Sequence, residues 1–445
     1  MSDPTANPIV DASRPGLSRE ILALAVPAFA TLVSEPLLLM ADSAMVGHLG
    51  TRQLAGLGLA SSVLGIINGL CVFLAYGTTS LVARRIGAGE TRRALSGGID
   101  GMALGLGLGL VLALGLHLGA PTVIGWYGGT PEVSAQAVAY LGIAGWGLPM
   151  LLLMLASTGV LRGLKDTRTP LRVAVSMNLA NIGLNALFMY GMGMGIRGSA
   201  LGTLISQAVG ASVLAGVVLR GARAAGAPLG IRLSGVLEAA RGGVWLVLRS
   251  VWLQAALAVT VAVAAQTGQV GLAGHQVTNS LWSFICLALD ALAIAAQAMV
   301  GHELGAGDAD TVRAITAKLC WWGAGGGVVL ALLLVLTRGS LAPVFTPDAG
   351  VQQLLGRLLL VLALITPAGA IAFVLDGVLI GAGDARYLAF AGLVATACYL
   401  PLAWLVNQQA AGVVWLWVAY GGYLLARVGT LTLRARSDAW MRLGA

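Results

Sequence analysis

Apolar residues in this chain come in long unbroken runs, not in the one-faced or alternating patterns of a fold that meets water on its outer side. Runs long enough to cross a bilayer, about 20 residues each, cover approximately 17–47, 54–80, 94–119, 132–161, 170–192 and 198–220. After a basic, glycine-containing stretch they resume at 244–267, 272–299, 312–336, 351–380, 387–407 and 412–433. The pattern predicts an all-α polytopic membrane protein with about twelve transmembrane helices. Several runs exceed the minimum, which implies tilt or extension beyond the bilayer. The polar exceptions inside these runs carry the information. In the first run Glu35 and Asp42 stand seven residues apart and so share one helical face. A carboxylate at membrane depth costs about 2.5 kcal/mol or more. Each therefore has either a hydrogen-bonded seat between packed helices or a task in a polar interior. Pro27 and Pro36 flank the first of them and predict a bent helix.

The runs fall into two copies of one plan. Gly163, Asp166 and Arg168 in LRGLKDTR return 218 positions later as Gly381, Asp384 and Arg386 in LIGAGDAR. IGAGE at Gly87 and LGAGD at Gly305 share that offset, as do Leu54-Ala55-Gly56 and Leu272-Ala273-Gly274. Six helices is an even number, so both copies enter the membrane from the same side. That predicts two parallel six-helix lobes around a central cleft, the arrangement of transporters that open alternately to the two sides. The expected domains are a tail at 1–16, an N-lobe at 17–222, a linker at 223–243, a C-lobe at 244–434 and a tail at 435–445.

Composition agrees and orients the chain. It is 58% hydrophobic and 10% charged, with a mean hydropathy of +0.88, a balance that excludes a water-soluble globular protein. The pI near 9.7 could suggest nucleic acid. However, the Lys and Arg residues lie in short connections between apolar runs, where they report topology. With both termini in the cytoplasm, all but Arg52, Arg197, Arg338 and Arg357 of the 26 basic residues fall on the cytoplasmic side or at its edge. No apolar signal-peptide core precedes the first run, so no cleaved leader is expected. Cys71, Cys286, Cys320 and Cys398 sit inside apolar runs and read as small core residues. The four histidines lack ligand spacing, so no metal is expected.

The fifth run carries Asn178, Asn181 and Asn185 at spacings of three and four, one polar stripe on an otherwise apolar helix. Such a stripe should turn inward and meet Asp42, either to hold the helices together or to build a site with the acid. Asp290 and Asp376 in the second half either line a substrate cavity or pair with Arg249 or Arg427. Asp166 and Asp384 read as turn or cap residues. Trp126, Trp321, Trp322, Trp415 and Trp417 lie near run ends and read as interface anchors. No nucleophile and base stand in a catalytic relation, so an enzyme is not expected.

At RRIGAGETRRAL, GHELGAGDADTVRAI, LRGLKDTRTP and LAGHQV the chain resembles the MATE (multidrug and toxic compound extrusion) family, and the resemblance runs from about Leu17 to Arg434. VWLQAALAV and ALDALAIAAQAMVGHELGAGD look like its DNA-damage-inducible protein F (DinF)-like branch; other branches carry an acid in the seventh helix, where this chain has Gln254. The resemblance implies efflux of amphiphilic or cationic small molecules, coupled to protons or sodium ions, by a monomer in the bacterial cytoplasmic membrane. It assigns ion coupling to Asp42, with Asn181, Tyr140 and Thr203 as companions. Some members carry a further carboxylate one turn beyond the asparagine, where this chain has Asn185. With one carboxylate in the ion-coupling site, supported by the neutral oxygens of Asn181, Asn185, Thr203 and Tyr140, a transported proton is favoured over sodium, and no cofactor is expected. Glu35, Asn178, Asp290, Asp376 and Gln254 remain candidates for the substrate cavity. A flippase for lipid-linked precursors is the alternative; it calls for a strongly basic cavity, whereas the intramembrane charges here are mostly acidic.

Overall fold

The computed structural model describes residues 16–444, so the tail expected over 1–16 lies outside them except for Gly16. The described chain is helical throughout. Its membrane-length segments are α1 (Leu17–Gly47), α2 (Thr51–Gly87), α3 (Thr91–Gly125), α4 (Pro131–Gly163), α5 (Arg168–Gly191), α6 (Ile196–Ala224), α7 (Leu233–Ala265), α8 (Gly268–Ala306), α9 (Ala309–Phe345), α10 (Ala349–Gly381) and α11 (Ala385–Gln408). The twelfth, α12 (Val413–Arg436), carries Arg427 and the sequence Tyr420-Gly421-Gly422-Tyr423, and is the least apolar. Several segments outrun their apolar stretch. The 39 residues of α8 reach roughly 58 Å at 1.5 Å per residue, well beyond a hydrocarbon core of about 30 Å.

Helix starts follow local chemistry. The Thr130 hydroxyl accepts from the Val133 amide ahead of Pro131 at the first helical position. Asp308 and Asp348 accept from the amides of Thr311 and Val351 at 2.9 and 3.0 Å. Asp166 behaves as a turn residue, taking the amides of Arg168 and Thr169 at 3.0 Å each. Asp384 does not, although it holds the corresponding position. Its carboxylate accepts from Arg434 Nε at 2.7 Å, and the same guanidinium stacks on Tyr387. A partner brought from α12, fifty residues away, outcompetes the local amides.

The sequence repeat is visible in the backbone. Left-handed positions occur at Gly50 and Gly268, at Gly89 and Gly307, and at Lys165 and Gly383, each pair 218 residues apart. Lys165 adopts φ 60°, where its counterpart is glycine, so the first copy holds this turn against side-chain sterics. The close helix crossings repeat too. A Cβ at Gly163 would lie 2.9 Å from the Thr79 carbonyl oxygen, and one at Gly381 would lie 2.7 Å from that of Gln297. Gly159 and Gly377 press in the same way on Ala75 and Ala293, and Gly109 and Gly327 on Pro149 and Pro367. In each half, therefore, the fourth helix touches its neighbours backbone to backbone, the close approach that small residues permit within a membrane.

The chain divides into two compact units. One is Val26–Val247; the other is Leu248–Ala445 with the start of α1 up to Ala25. Both α1 and α7 therefore run from one unit into the other, and the first turns of α7 belong with the helices before it. Arg232, the last residue before α7, explains this: its backbone amide and guanidinium donate to the fully buried Asp100 of α3 at 2.7 to 3.2 Å. Arg85 adds a pair with Glu238, and Arg92 Nε donates to the Ala225 carbonyl.

Candidate functional site

The polar positions of α1 and α5 meet inside the first unit. Asp42, 4% exposed, accepts a hydrogen bond from Asn185 Nδ2 at 2.7 Å. Asn185 Nδ2 also donates to Asn181 Oδ1 at 3.0 Å, and Asn181 Nδ2 donates to the hydroxyls of Thr203 and Ser206, both at 3.1 Å. Tyr140 of α4 is buried beside Asp42, Thr203 and Ser199. Asn185 thus turns its amide donors to the carboxylate and to Asn181, and Asn181 passes the chain on to the hydroxyls; a neutral donor faces the acid, as an ionised carboxylate in an apolar surround requires.

Two more contacts tie the same helices. Asn178 Nδ2 donates to the Ser34 carbonyl at 2.9 Å, and the Tyr190 hydroxyl donates to that of Met45 at 2.6 Å. Ser34, Asp42 and Met45 meet Asn178, Asn185 and Tyr190 in rising order, so α1 and α5 run in the same direction, as first and fifth helices of an up-and-down bundle must. The last turn of α5, Leu187–Gly191, is a wide π turn just beyond Asn185. Tyr190, whose hydroxyl reaches Met45, lies within this turn. Such wide turns recur at functional sites.

The structure brings Asp42, Asn181, Asn185, Tyr140 and Thr203 together, and it orders them differently from the sequence expectation. Asn185, the position read as a departure, is the group in direct contact with Asp42; Asn181 stands one step behind it. Ser206 and Gly202 were not anticipated. Any side chain at Gly202 would overlap Asn185 Oδ1, so this glycine makes room for the amide. Its signal in the sequence was its place four residues before Ser206 on the face that bears Thr203. Asn185 Oδ1 itself is buried and has no donor.

Glu35 stands apart from this cluster. It is exposed on its helix and accepts from Asn68 Nδ2 of α2 at 3.2 Å, a partner not foreseen. Gln254 of α7 is also exposed. In the second unit Asp376 is buried and committed to cations: Oδ1 accepts from Arg249 Nε at 3.2 Å and Arg427 Nη2 at 2.9 Å, and Oδ2 from Arg249 Nη2. Of the two readings left open for Asp376, the geometry holds the pairing. Asp290 on α8 is half-buried, and it and Arg427 both act electrostatically on Cys286. Trp126, Trp321 and Trp415 are exposed as interface anchors would be. Trp417 is not: it is 1% exposed and packs with Tyr420 and His275. The four cysteines are free thiols, and Cys398 lies on the surface of α11, contrary to the core placement expected.

The MatE family model matches residues 27–187 and 246–405, once in each half. The chain is 29% identical over 451 residues to "Protein DETOXIFICATION 44, chloroplastic" of Arabidopsis thaliana, covering 96% of this chain and 85% of that protein. It is 27% identical over 417 residues to "DNA damage-inducible protein F" of Escherichia coli (strain K12), covering 91% and 89%. Among solved structures, "Crystal structure of MATE in the bent conformation" superposes with a TM-score of 0.88 at 20% identity, over 95% of this chain and 96% of that one.

Proposed function

The chain belongs to the MatE family, whose members are membrane transporters and not enzymes, and on that premise we propose that it exports amphiphilic or cationic compounds in exchange for protons carried by Asp42. The observation that carries the reading is the seat of Asp42: one buried carboxylate in an apolar helix, faced by a relay of neutral amides and hydroxyls and by no cation among the described residues. A carboxylate so placed can be neutralised only by taking up a charge from outside.

The groups give a cycle. Ionised Asp42 accepts from Asn185, which holds α1 against α5. Protonation removes the charge that the Asn185 amide meets and weakens that bond. Because α1 carries Pro27 and Pro36, its backbone lacks two donors and bends at low cost. The released helix then alternates between two arrangements, and the transporter opens to one side or the other. Glu35, on the same face as Asp42 and exposed, offers a cationic substrate a counter-charge, with Asn68 holding it. Both termini lie in the cytoplasm in this scheme, as the distribution of basic residues requires.

The test is efflux from proteoliposomes driven by an imposed pH gradient in sodium-free buffer. Wild-type protein responds to the gradient. Asp42→Asn, which keeps the hydrogen-bonding shape, loses at least tenfold in rate while retaining its elution profile and melting temperature. Undiminished transport by a well-folded Asp42→Asn protein refutes the assignment. Sodium is the second reading, and one observation favours it: the undonated Asn185 Oδ1 joins Asp42 and Thr203 as an oxygen ligand of the kind hard cations take. Efflux that needs a sodium gradient and ignores pH selects that reading.

A further inference from the structure

Where α9 turns into α10 there is an open cavity of about 540 Å³ within the second unit. Its walls include Arg338 and Pro343 from the end of α9, and Gln352, Gln353, Arg357 and Leu360 from the first turns of α10. Two features set it apart. Arg338 and Arg357 are two of the four basic residues that the charge distribution leaves off the cytoplasmic side, and both line this one cavity. Neither has a carboxylate partner among the described residues. The neighbouring acid, Asp348, is occupied in capping the Val351 amide.

Two uncompensated guanidiniums beside two carboxamides form a receptor for an oxyanion, and phosphate suits the planar donor fork of arginine. The surroundings specify more. Leu360 lies in the wall, and Leu332, Leu336 and Leu364 on the same two helices are exposed apolar side chains, so the cavity gives onto a surface made for hydrocarbon. We propose that this cavity binds a phosphate oxyanion, and that its source is the headgroup of an anionic phospholipid whose chains lie along α9 and α10. A free phosphate would use the arginines equally and gain nothing from the leucines, which is how the two sources are told apart.

Native mass spectrometry of the purified full-length protein, titrated with phosphatidylglycerol, reads the site directly, with glycerol 3-phosphate and inorganic phosphate as competitors. The Arg338→Gln/Arg357→Gln double variant should lose at least tenfold in affinity for the first lipid bound. Gln353→Glu, which supplies an internal carboxylate to the arginines, should lose a similar factor, and so provides a second route should the double variant fold poorly. Millimolar glycerol 3-phosphate that leaves the lipid bound identifies the lipid as ligand; displacement at micromolar concentration identifies a soluble phosphate and overturns the lipid assignment. Lipid and phosphate binding unchanged in both variants overturns the site itself.

Discussion

Asp376 offers the sharpest test of what the second unit's buried charges do. Its side chain is 6% exposed, and those of Arg249 and Arg427 are 10% and 9%. Three hydrogen bonds run from the two guanidiniums to one carboxylate. Asp376→Ala removes the carboxylate that the two guanidiniums share. Breaking a buried pair by deleting one partner costs about 3–5 kcal/mol, because the remaining charge is stranded away from water. The loss of a carboxylate shared by two cations places this variant within that range. Replacing the whole triad by apolar side chains (Arg249→Met, Asp376→Leu and Arg427→Met together) removes the desolvation penalty along with the attraction and should fall within about 1 kcal/mol of wild type or above it. The assay is thermal unfolding in detergent, read by the loss of the monodisperse chromatographic peak. The single variant should melt several degrees lower, and the triple variant should recover most of the loss. A carboxylate serving substrate would behave otherwise: Asp376→Ala would keep its melting temperature and raise KM for a cationic substrate. Wild-type melting by Asp376→Ala refutes the pairing argument.

Other outcomes follow from the same geometry. Gly202→Ala forces a methyl group into the space of Asn185 Oδ1, so it should lower coupled efflux about as much as Asn185→Leu does, whereas Gly216→Ala on the open face of α6 should be silent in the same assay. Asn185→Asp places a second carboxylate against Asp42; the repulsion is relieved by a bound cation, so efflux should gain sodium dependence, measured with and without a sodium gradient. In a background lacking the native cysteines, an impermeant thiol reagent added outside should label Ser340→Cys and spare Ser234→Cys; labelling of the latter would invert the orientation.

The sequence by itself determined the elements and the repeat, because both rest on properties carried by single residues. An apolar run of membrane length must be helical to satisfy its own backbone, and this alone places twelve segments. The offset of 218 recurs in the glycine crossings and left-handed turns, since close backbone approach and positive φ are demands that glycine answers locally. The stripe of Asn178, Asn181 and Asn185 was legible for a similar reason, as was its inward direction. What the stripe touches was decided only by the tertiary structure. The sequence counted both Asn181 and Asn185 as neutral supports of Asp42, with Asn181 as the family companion; packing decided that Asn185 holds the carboxylate, in the space that Gly202 leaves for its amide. The choice between substrate and arginines at Asp376, the pairs Asp384 with Arg434 and Asp100 with Arg232, and Trp417 among its aromatic neighbours were beyond local reading for one physical cause. A buried charge or ring is satisfied by whichever partner packing delivers, from fifty or more residues away in the four ion pairs, and sequence spacing holds no record of that delivery.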